Sequence, residues 1–250
     1  MQLTAESLST PTIAPEPIST EWVQSTARSA QVELVTIRPA GVIGKLPVCL
    51  ALHGRSANAK TFLDLGVPDA LNLATSTTGT RPFAVVSVDG GDSYWVARQP
   101  SDDPQKMLLQ DLPIWLSNRG FEPIPFAAMG ISMGGYGALN YARNPGLAAV
   151  AAISSALFDN WTEARKRNAF ASEAAWEATE PLRHIDELGA ATQLGVWCGT
   201  SDPFIAQSRR LVERAHPRIS AITAGDHTEP YWRRILPEVL RFIGAAAPAV

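Results

Sequence analysis

One serine flanked by glycines is the residue of this 250-residue chain that is best placed to do chemistry. Ser132 lies in the run Gly130–Gly134, which reads Gly-Ile-Ser-Met-Gly, between a predicted buried strand and a predicted helix. Small neighbours allow a sharp strand-to-helix turn that projects the serine hydroxyl above a sheet. A glycine-rich helix start can also serve packing or hold a phosphate, and that interpretation stays open here. No lysine follows the glycines, which argues against a phosphate loop of the Walker type.

A serine hydroxyl becomes a good nucleophile only when a base removes its proton and an acid orients that base. His227 follows the apolar segment Ile219–Thr223, and Asp202 follows the apolar segment that ends at Cys198. The carboxyl ends of parallel strands share one edge of a sheet. We therefore predict that Ser132, Asp202 and His227 meet there as nucleophile, acid and base.

Structural alternatives exist for both partners of the serine. Asp202 is also suited to cap the helix that Pro203 begins, and a loop histidine such as His227 is often only solvated. Asp226 competes as the acid, but adjacent side chains point apart, so we favour Asp202.

Attack on an ester carbonyl also requires two backbone N–H donors for the developing oxyanion. Met133, which follows the nucleophile, is predicted to supply one N–H. The loop after the strand Val48–Leu52 reads His-Gly-Arg-Ser, and we assign the second N–H to Arg55. His53 is interpreted as a ring that holds this loop.

The elements that must position these groups alternate along the chain. Continuous apolar runs and amphipathic stretches predict a mostly parallel twisted sheet of about eight strands with helices on both faces, in an α/β arrangement. Residues 1–18 are predicted to be a flexible lead and 19–250 one domain, with a helical insertion at about 156–190. The predicted strands are 32–38, 48–52, 83–88, 126–130, 194–198 and 219–223, and the predicted helices are 59–74, 105–118, 134–143, 203–216 and 230–243.

Composition excludes several functional classes. A net charge of -3 and the short, charge-mixed cluster Arg165–Arg167, interpreted as a helix face, argue against nucleic-acid binding. The two isolated cysteines, Cys49 and Cys198, predict neither a disulfide nor a zinc site, and no metal or organic cofactor is needed for the chemistry above. No apolar run reaches the roughly 20 residues that span a bilayer. We expect a soluble, cytoplasmic protein, and the oligomeric state has no signature in the sequence.

The same residues resemble the α/β-hydrolase fold from about Glu21 to Ile243, and within it the esterase group that includes esterase D and the antigen 85 mycolyltransferases. That resemblance implies that Ser132 is the nucleophile, His227 the base, and Arg55 and Met133 the oxyanion positions. The acid of antigen 85-like members is often a glutamate, so Asp202 matches the general superfamily better. The shared features are His53–Arg55, Asp89–Trp95, Asp111–Leu116, Gly130–Gly135 and Asp226–Arg234.

The loop that ends in Tyr94 and Trp95 is predicted to line the pocket, although these rings are also suited to cover the edge of the sheet. Trp161 and Trp176 of the insertion either cap the pocket or anchor the insertion to the body. We predict a serine carboxylesterase whose partner is a small ester. The alternatives are an acyltransferase, in which an alcohol replaces water, and a non-catalytic binding protein that keeps the scaffold.

Overall fold

A computed structural model describes residues 16–77, 80–144, 146–189 and 192–249. Eight strands form one sheet: β1 (Ile18–Ser25), β2 (Ala30–Ile37), β3 (Val48–Leu52), β4 (Ala84–Val88), β5 (Ala127–Ile131), β6 (Ala149–Ile153), β7 (Gln193–Gly199) and β8 (Ile219–Thr223). The helices are α1 (Thr61–Asp64), α2 (Val67–Thr77), α3 (Pro104–Lys106), α4 (Leu112–Ser117), α5 (Met133–Tyr141), α6 (Trp161–Ala164), α7 (Glu173–Glu177), α8 (Ile205–Ala215) and α9 (Glu229–Ala245). A π-helical turn spans Met107–Asp111, and 3₁₀ turns span Arg165–Arg167, Pro181–Arg183 and Ile185–Glu187.

The strand order is β1-β2-β4-β3-β5-β6-β7-β8. β1 and β2 pair antiparallel with each other, and β2 pairs antiparallel with β4, whereas the pairings from β4 through β3 to β8 are all parallel. The prediction of a mostly parallel sheet of about eight strands is therefore confirmed. β5, β7 and β8 end at the same edge, which is where ligand sites form in such sheets.

The four central strands explain the continuous apolar runs of the sequence. Every residue of β3, β4, β5 and β6 is buried, because helices cover both faces of the sheet. One hydrophobic cluster lies on each face, and the two clusters contain alternating residues of the same strands, such as Leu50 on one side and Ala51 on the other. Two buried faces demand apolar side chains at every position of a strand.

Two strands have no counterpart among the predicted elements. β6 reads Ala-Val-Ala-Ala-Ile, and alanine is not typical of strands, so its pattern is weak. β1 begins at Ile18, in the stretch assigned to the flexible lead, and pairs over its whole length with β2. Residues 1–15 of that predicted lead lie outside the described residues.

Two predicted helices are interrupted in the structure. The helix predicted over 59–74 is divided into α1 and α2 at Gly66, whose φ of +85° suits glycine. The helix predicted over 105–118 contains the π turn immediately before Pro113, which lies in the first turn of α4 and has no N–H to donate. Within the described ranges, no helix has both the length and the apolar character needed to cross a membrane.

Candidate active site

Ser132 occupies the turn between β5 and α5 in a conformation that non-glycine residues seldom adopt. Its φ is +57° and its ψ is −117°. The Ser132 N–H donates to the Ile153 carbonyl oxygen at 2.9 Å, and its own carbonyl oxygen accepts from the Ala156 N–H at 3.0 Å. Such backbone costs about 1–3 kcal/mol and persists only where the surroundings hold it. The end of β6 therefore fixes the turn that presents the Ser132 hydroxyl.

Glycines around the serine are required by close backbone approach. A Cβ atom on Gly130 would overlap the carbonyl group of Gly134, and one on Gly134 would overlap the carbonyl group of Leu52 at the end of β3. α5 therefore starts in contact with the two strands beneath it. This explains the spacing of small residues in the Gly130–Gly134 run.

The three side chains predicted to meet do meet. The Nε2 atom of His227 lies 2.9 Å from Oγ of Ser132, and its Nδ1 atom lies 2.8 Å from Oδ2 of Asp202. Asp202 and His227 are brought together because the loops after β7 and β8 are joined, with the Ser201 N–H donating to the Gly225 carbonyl oxygen at 2.9 Å. Asp226 is exposed and is not part of this chain of contacts.

The Asp202 carboxylate is almost fully buried, at 1% exposed, and both its oxygens are used. Oδ1 accepts from the Phe204 N–H at 2.8 Å, so Asp202 also supports the start of α8, and Oδ2 faces His227. Burial favours the neutral acid, but the hydrogen bonds from His227 and from the Phe204 N–H outweigh it and lower the pKa of Asp202. A charged carboxylate only accepts, so Nδ1 of His227 carries a proton and the lone pair of neutral Nε2 faces Ser132.

Two aromatic rings pack against the His227 imidazole, and a buried serine holds one of them. The Trp232 ring meets the imidazole of His227 edge to face, with centroids 5.2 Å apart, and the Phe204 ring lies 5.5 Å away. The indole N–H of Trp232 donates to Oγ of the fully buried Ser154 at 3.1 Å. Ser154 follows β6, the strand that the sequence analysis did not predict. Trp232 could have been found from the sequence, because it lies one turn into the predicted last helix, close to His227.

The loop after β3 runs alongside the serine. A side chain on Gly54 would contact Cβ of Ser132 at 3.5 Å. The buried His53 ring holds this loop, because its Nε2 atom accepts from the Gly90 N–H at 2.9 Å and its Nδ1–H donates to the Gly54 carbonyl oxygen at 2.8 Å. Arg55 follows in this loop and Met133 starts α5, but donation of their N–H groups to an oxyanion stays a prediction.

The two aromatic residues predicted to line the pocket differ in their surroundings. Trp95 is completely buried: its indole N–H donates to the His53 carbonyl oxygen at 3.2 Å, and its ring occupies the space that a side chain on Gly137 of α5 would need. The Tyr94 ring packs 5.5 Å from that of Phe158, which in turn contacts Phe204. A role for Tyr94 and Trp95 in binding substrate stays a prediction.

The segment between β6 and β7 consists of short helical turns that are held by buried side chains of the segment itself. Trp176 is fully buried, and its indole N–H donates to Oε2 of Glu180 at 2.9 Å. The same oxygen accepts from the Phe158 N–H at 3.2 Å, so Glu180 ties α7 to the chain beside the active site. Trp176 therefore anchors the segment, and Trp161 packs against Trp176 with centroids 6.3 Å apart.

Among the residues that the structure describes, no three His, Cys, Asp or Glu side chains are grouped to hold a metal ion.

Known proteins with the same fold include several esterases and hydrolases. A ferulic acid esterase superposes with a TM-score of 0.76 at 17% identity, covering 92% of this chain and 97% of the other. An S-formylglutathione hydrolase from Agrobacterium tumefaciens gives a TM-score of 0.75 at 14% identity, covering 92% and 95%. The Mycobacterium tuberculosis protein MPT51 gives 0.73 at 20% identity, covering 94% and 100%. At these low identities, the superpositions establish a shared fold and nothing finer. No curated protein sequence matches the chain significantly.

A family model provides the assignment that these distant structures do not. The model described as "Putative esterase" matches residues 31–243, which include β2 except its first residue, β3 to β8 and all three side chains of the Ser132 site. The eight-stranded sheet and its helices agree with that assignment. The chain therefore belongs to the putative esterase family, a group of esterase-like hydrolases built on the α/β-hydrolase fold.

Proposed function

We propose that this protein is a serine carboxylesterase that forms an acyl-enzyme on Ser132. The observation that carries the proposal is the unbroken chain of contacts from Oγ of Ser132 through the His227 ring to the buried Asp202 carboxylate. A hydroxyl, a neutral imidazole and a charged acid in this order are what nucleophilic attack on an ester carbonyl requires. The positive φ of Ser132, held by the end of β6, presents the hydroxyl at the edge of the sheet.

In this mechanism Nε2 of His227 takes the hydroxyl proton as Oγ attacks the ester carbonyl carbon. The backbone N–H groups of Arg55 and Met133 bind the oxyanion that forms, and Asp202 stabilises the imidazolium. His227 then gives its proton to the leaving alkoxide, and the acyl group stays on Ser132. Water, deprotonated by His227, attacks the acyl-enzyme and releases the carboxylic acid.

Loss of the nucleophile tests the proposal. Hydrolysis of p-nitrophenyl butyrate by Ser132→Ala should fall at least about a thousandfold, because the residual rate comes only from binding and the oxyanion donors. Ser87→Ala is a matched control, since Ser87 lies in β4 with a buried hydroxyl that has no partner among the described groups. Full turnover by the Ser132 variant would overturn the proposal, as would equal losses in both variants.

A further inference from the structure

One arginine of the insertion turns inward toward the active site. The guanidinium carbon of Arg167 lies 5.6 Å from the centre of the Phe158 ring and 5.4 Å from that of Phe204. Its neighbour in the same 3₁₀ turn, Lys166, points outward and pairs with Glu163 at 2.8 Å. The basic cluster, interpreted from the sequence as a helix face, therefore divides into an outward-pointing Lys166 and an Arg167 that turns toward two aromatic rings.

This arginine stands close to the reacting groups. The Phe204 ring that it covers lies 5.5 Å from the imidazole of His227, so two ring contacts join the guanidinium to the base. The guanidinium carbon is consequently no more than about 11 Å from the centre of the His227 ring. The Ser132 hydroxyl lies 2.9 Å from Nε2 of that ring, so an ester of modest length bound at Ser132 can reach the guanidinium.

Arg167 has no anionic partner in the described part of the chain. Its half-buried side chain forms no ion pair there, and its Nε–H is buried without an acceptor. Two acids of the same segment are otherwise engaged: Asp159 pairs with Arg210, and the buried Glu180 accepts from the N–H groups of Trp176, Phe158 and Leu182. A cation stacked on two aromatic rings and left without a counter-charge is suited to bind an anion.

A second arginine adds to the positive potential at this place. Burial raises the pKa of the Tyr94 hydroxyl, and the charges of Arg167 and Arg55 both act against that rise. Arg55 belongs to the loop that runs alongside Ser132. Arg55 and Arg167 therefore both add positive potential at the Tyr94 hydroxyl.

We propose that Arg167 binds a carboxylate of the substrate, so that the preferred esters carry a negative charge apart from the bond that is cleaved. This inference rests on the proposed esterase function of Ser132. The part-exposed ring of Phe204 would contact the chain between the ester and the carboxylate, and the guanidinium would select for its charge.

Matched esters with and without the charge test this proposal. One pair is p-nitrophenyl hydrogen suberate and its methyl-capped diester, which places the carboxylate on the acyl half. The other is 3-acetoxybenzoate and its methyl ester, which places it on the alcohol half. For each pair we would measure the ratio of kcat/KM for the charged ester to that for the neutral ester, in the wild type and in Arg167→Gln.

Arg167→Gln should lower this ratio at least about fivefold in one pair or both, because it removes a charge-assisted hydrogen bond. Arg167→Lys keeps the charge but not the planar fork, so it should restore part of the ratio. Arg165→Gln, an exposed arginine of the same turn, should leave the ratio as in the wild type.

Two negative results are distinguishable. If the wild type cleaves the neutral esters and Arg167→Gln leaves both ratios unchanged, the carboxylate proposal is overturned and the esterase function stands. If the wild type cleaves no ester and a fluorophosphonate does not label Ser132, the esterase function fails, and the role of Arg167 fails with it.

Discussion

The indole N–H of Trp232 donates to Oγ of Ser154 at 3.1 Å, below the triad of polar side chains. The Ser154 hydroxyl in turn contributes to lowering the pKa of Asp202, after the larger effects of burial, which raises it, and of the hydrogen bonds from His227 and Phe204. Trp232 also touches the imidazole of His227 directly. We therefore expect Ser154 to help orient Asp202 and Trp232 to help orient His227.

Removing the Ser154 hydroxyl should raise the pKa of Asp202. We expect Ser154→Ala to lower kcat/KM about ten- to 160-fold, because one hydrogen bond to a charged group contributes about 1.5–3 kcal/mol. Trp232→Phe keeps a ring against His227 but removes the N–H that donates to Ser154, so kcat/KM should fall less than in Ser154→Ala. The pH dependence of kcat/KM should shift in Ser154→Ala if the acid is weakened. A variant with the wild-type rate and the wild-type pH profile would contradict this role.

Asp202→Asn tests the acid itself. Asparagine preserves the shape of the side chain, but its amide does not stabilise an imidazolium and favours the wrong tautomer of His227. We expect kcat to fall about a thousand- to ten-thousandfold with the fold intact. Asp226→Asn, at the exposed acid beside His227, should change kcat little. The opposite ranking of the two variants would show that Asp202 does not serve as the acid.

The meeting of Ser132, Asp202 and His227 could be predicted because the position of each residue depends on a local pattern. The glycines around Ser132 predict the turn, and two apolar runs that end before Asp202 and before His227 predict the edge where these residues meet. Parallel strands leave little freedom in where their ends lie, so three short patterns suffice to place three side chains at one edge.

The surroundings of the site could not be predicted in the same way. Ser154 follows an alanine-rich strand whose composition resembles a helix, so neither the strand nor the residue stood out. Arg167 belongs to a run of three basic residues that is interpreted, from the sequence, only as a helix face. Its inward direction depends on how the insertion packs against Phe158 and Phe204, and that packing has no local signature.

The buried Glu180 should make stability depend on pH. Burial raises the pKa of its carboxyl from 4.5 to about 8, although the Trp176, Leu182 and Phe158 N–H groups oppose that rise. Between these two values the unfolded chain releases a proton that the folded chain keeps, so stability falls as the pH rises and levels off above about 8. Glutamine at this position does not titrate. The free energy of unfolding of Glu180→Gln, relative to the wild type, should rise by on the order of 3 kcal/mol between pH 5.5 and pH 8.

Urea denaturation at a series of pH values measures this difference directly. The glutamine side chain introduced by Glu180→Gln can still accept from Trp176 and Phe158 through its carbonyl oxygen, and the loss of the Leu182 contact is the same at every pH, so the change of the difference with pH isolates the charge. A difference between the two proteins that stays constant over this pH range would contradict the assignment of a neutral carboxyl.

The close packing of α5 against β3 near Ser132 predicts that one added methyl group lowers the stability of the protein strongly. Gly134→Ala would drive a Cβ atom into the carbonyl group of Leu52, and we expect a loss of at least about 2 kcal/mol in the free energy of unfolding. Gly54→Ala is the control, because its Cβ would meet the Ile131 carbonyl oxygen at 3.4 Å and Ser132 Cβ at 3.5 Å, which are ordinary contacts. Similar melting temperatures for the two variants would contradict the close approach of α5 to β3.

Covalent labelling tests most directly whether Ser132 is a nucleophile activated by His227. The folded protein is incubated with a fluorophosphonate, and the modified residue is located by peptide mass spectrometry. We predict one label per chain, on Ser132, that is absent in Ser132→Ala, strongly slowed in His227→Ala, and lost when the protein is unfolded in urea before the reagent is added. A folded wild type that takes no label, or that takes it on another residue, would contradict the account.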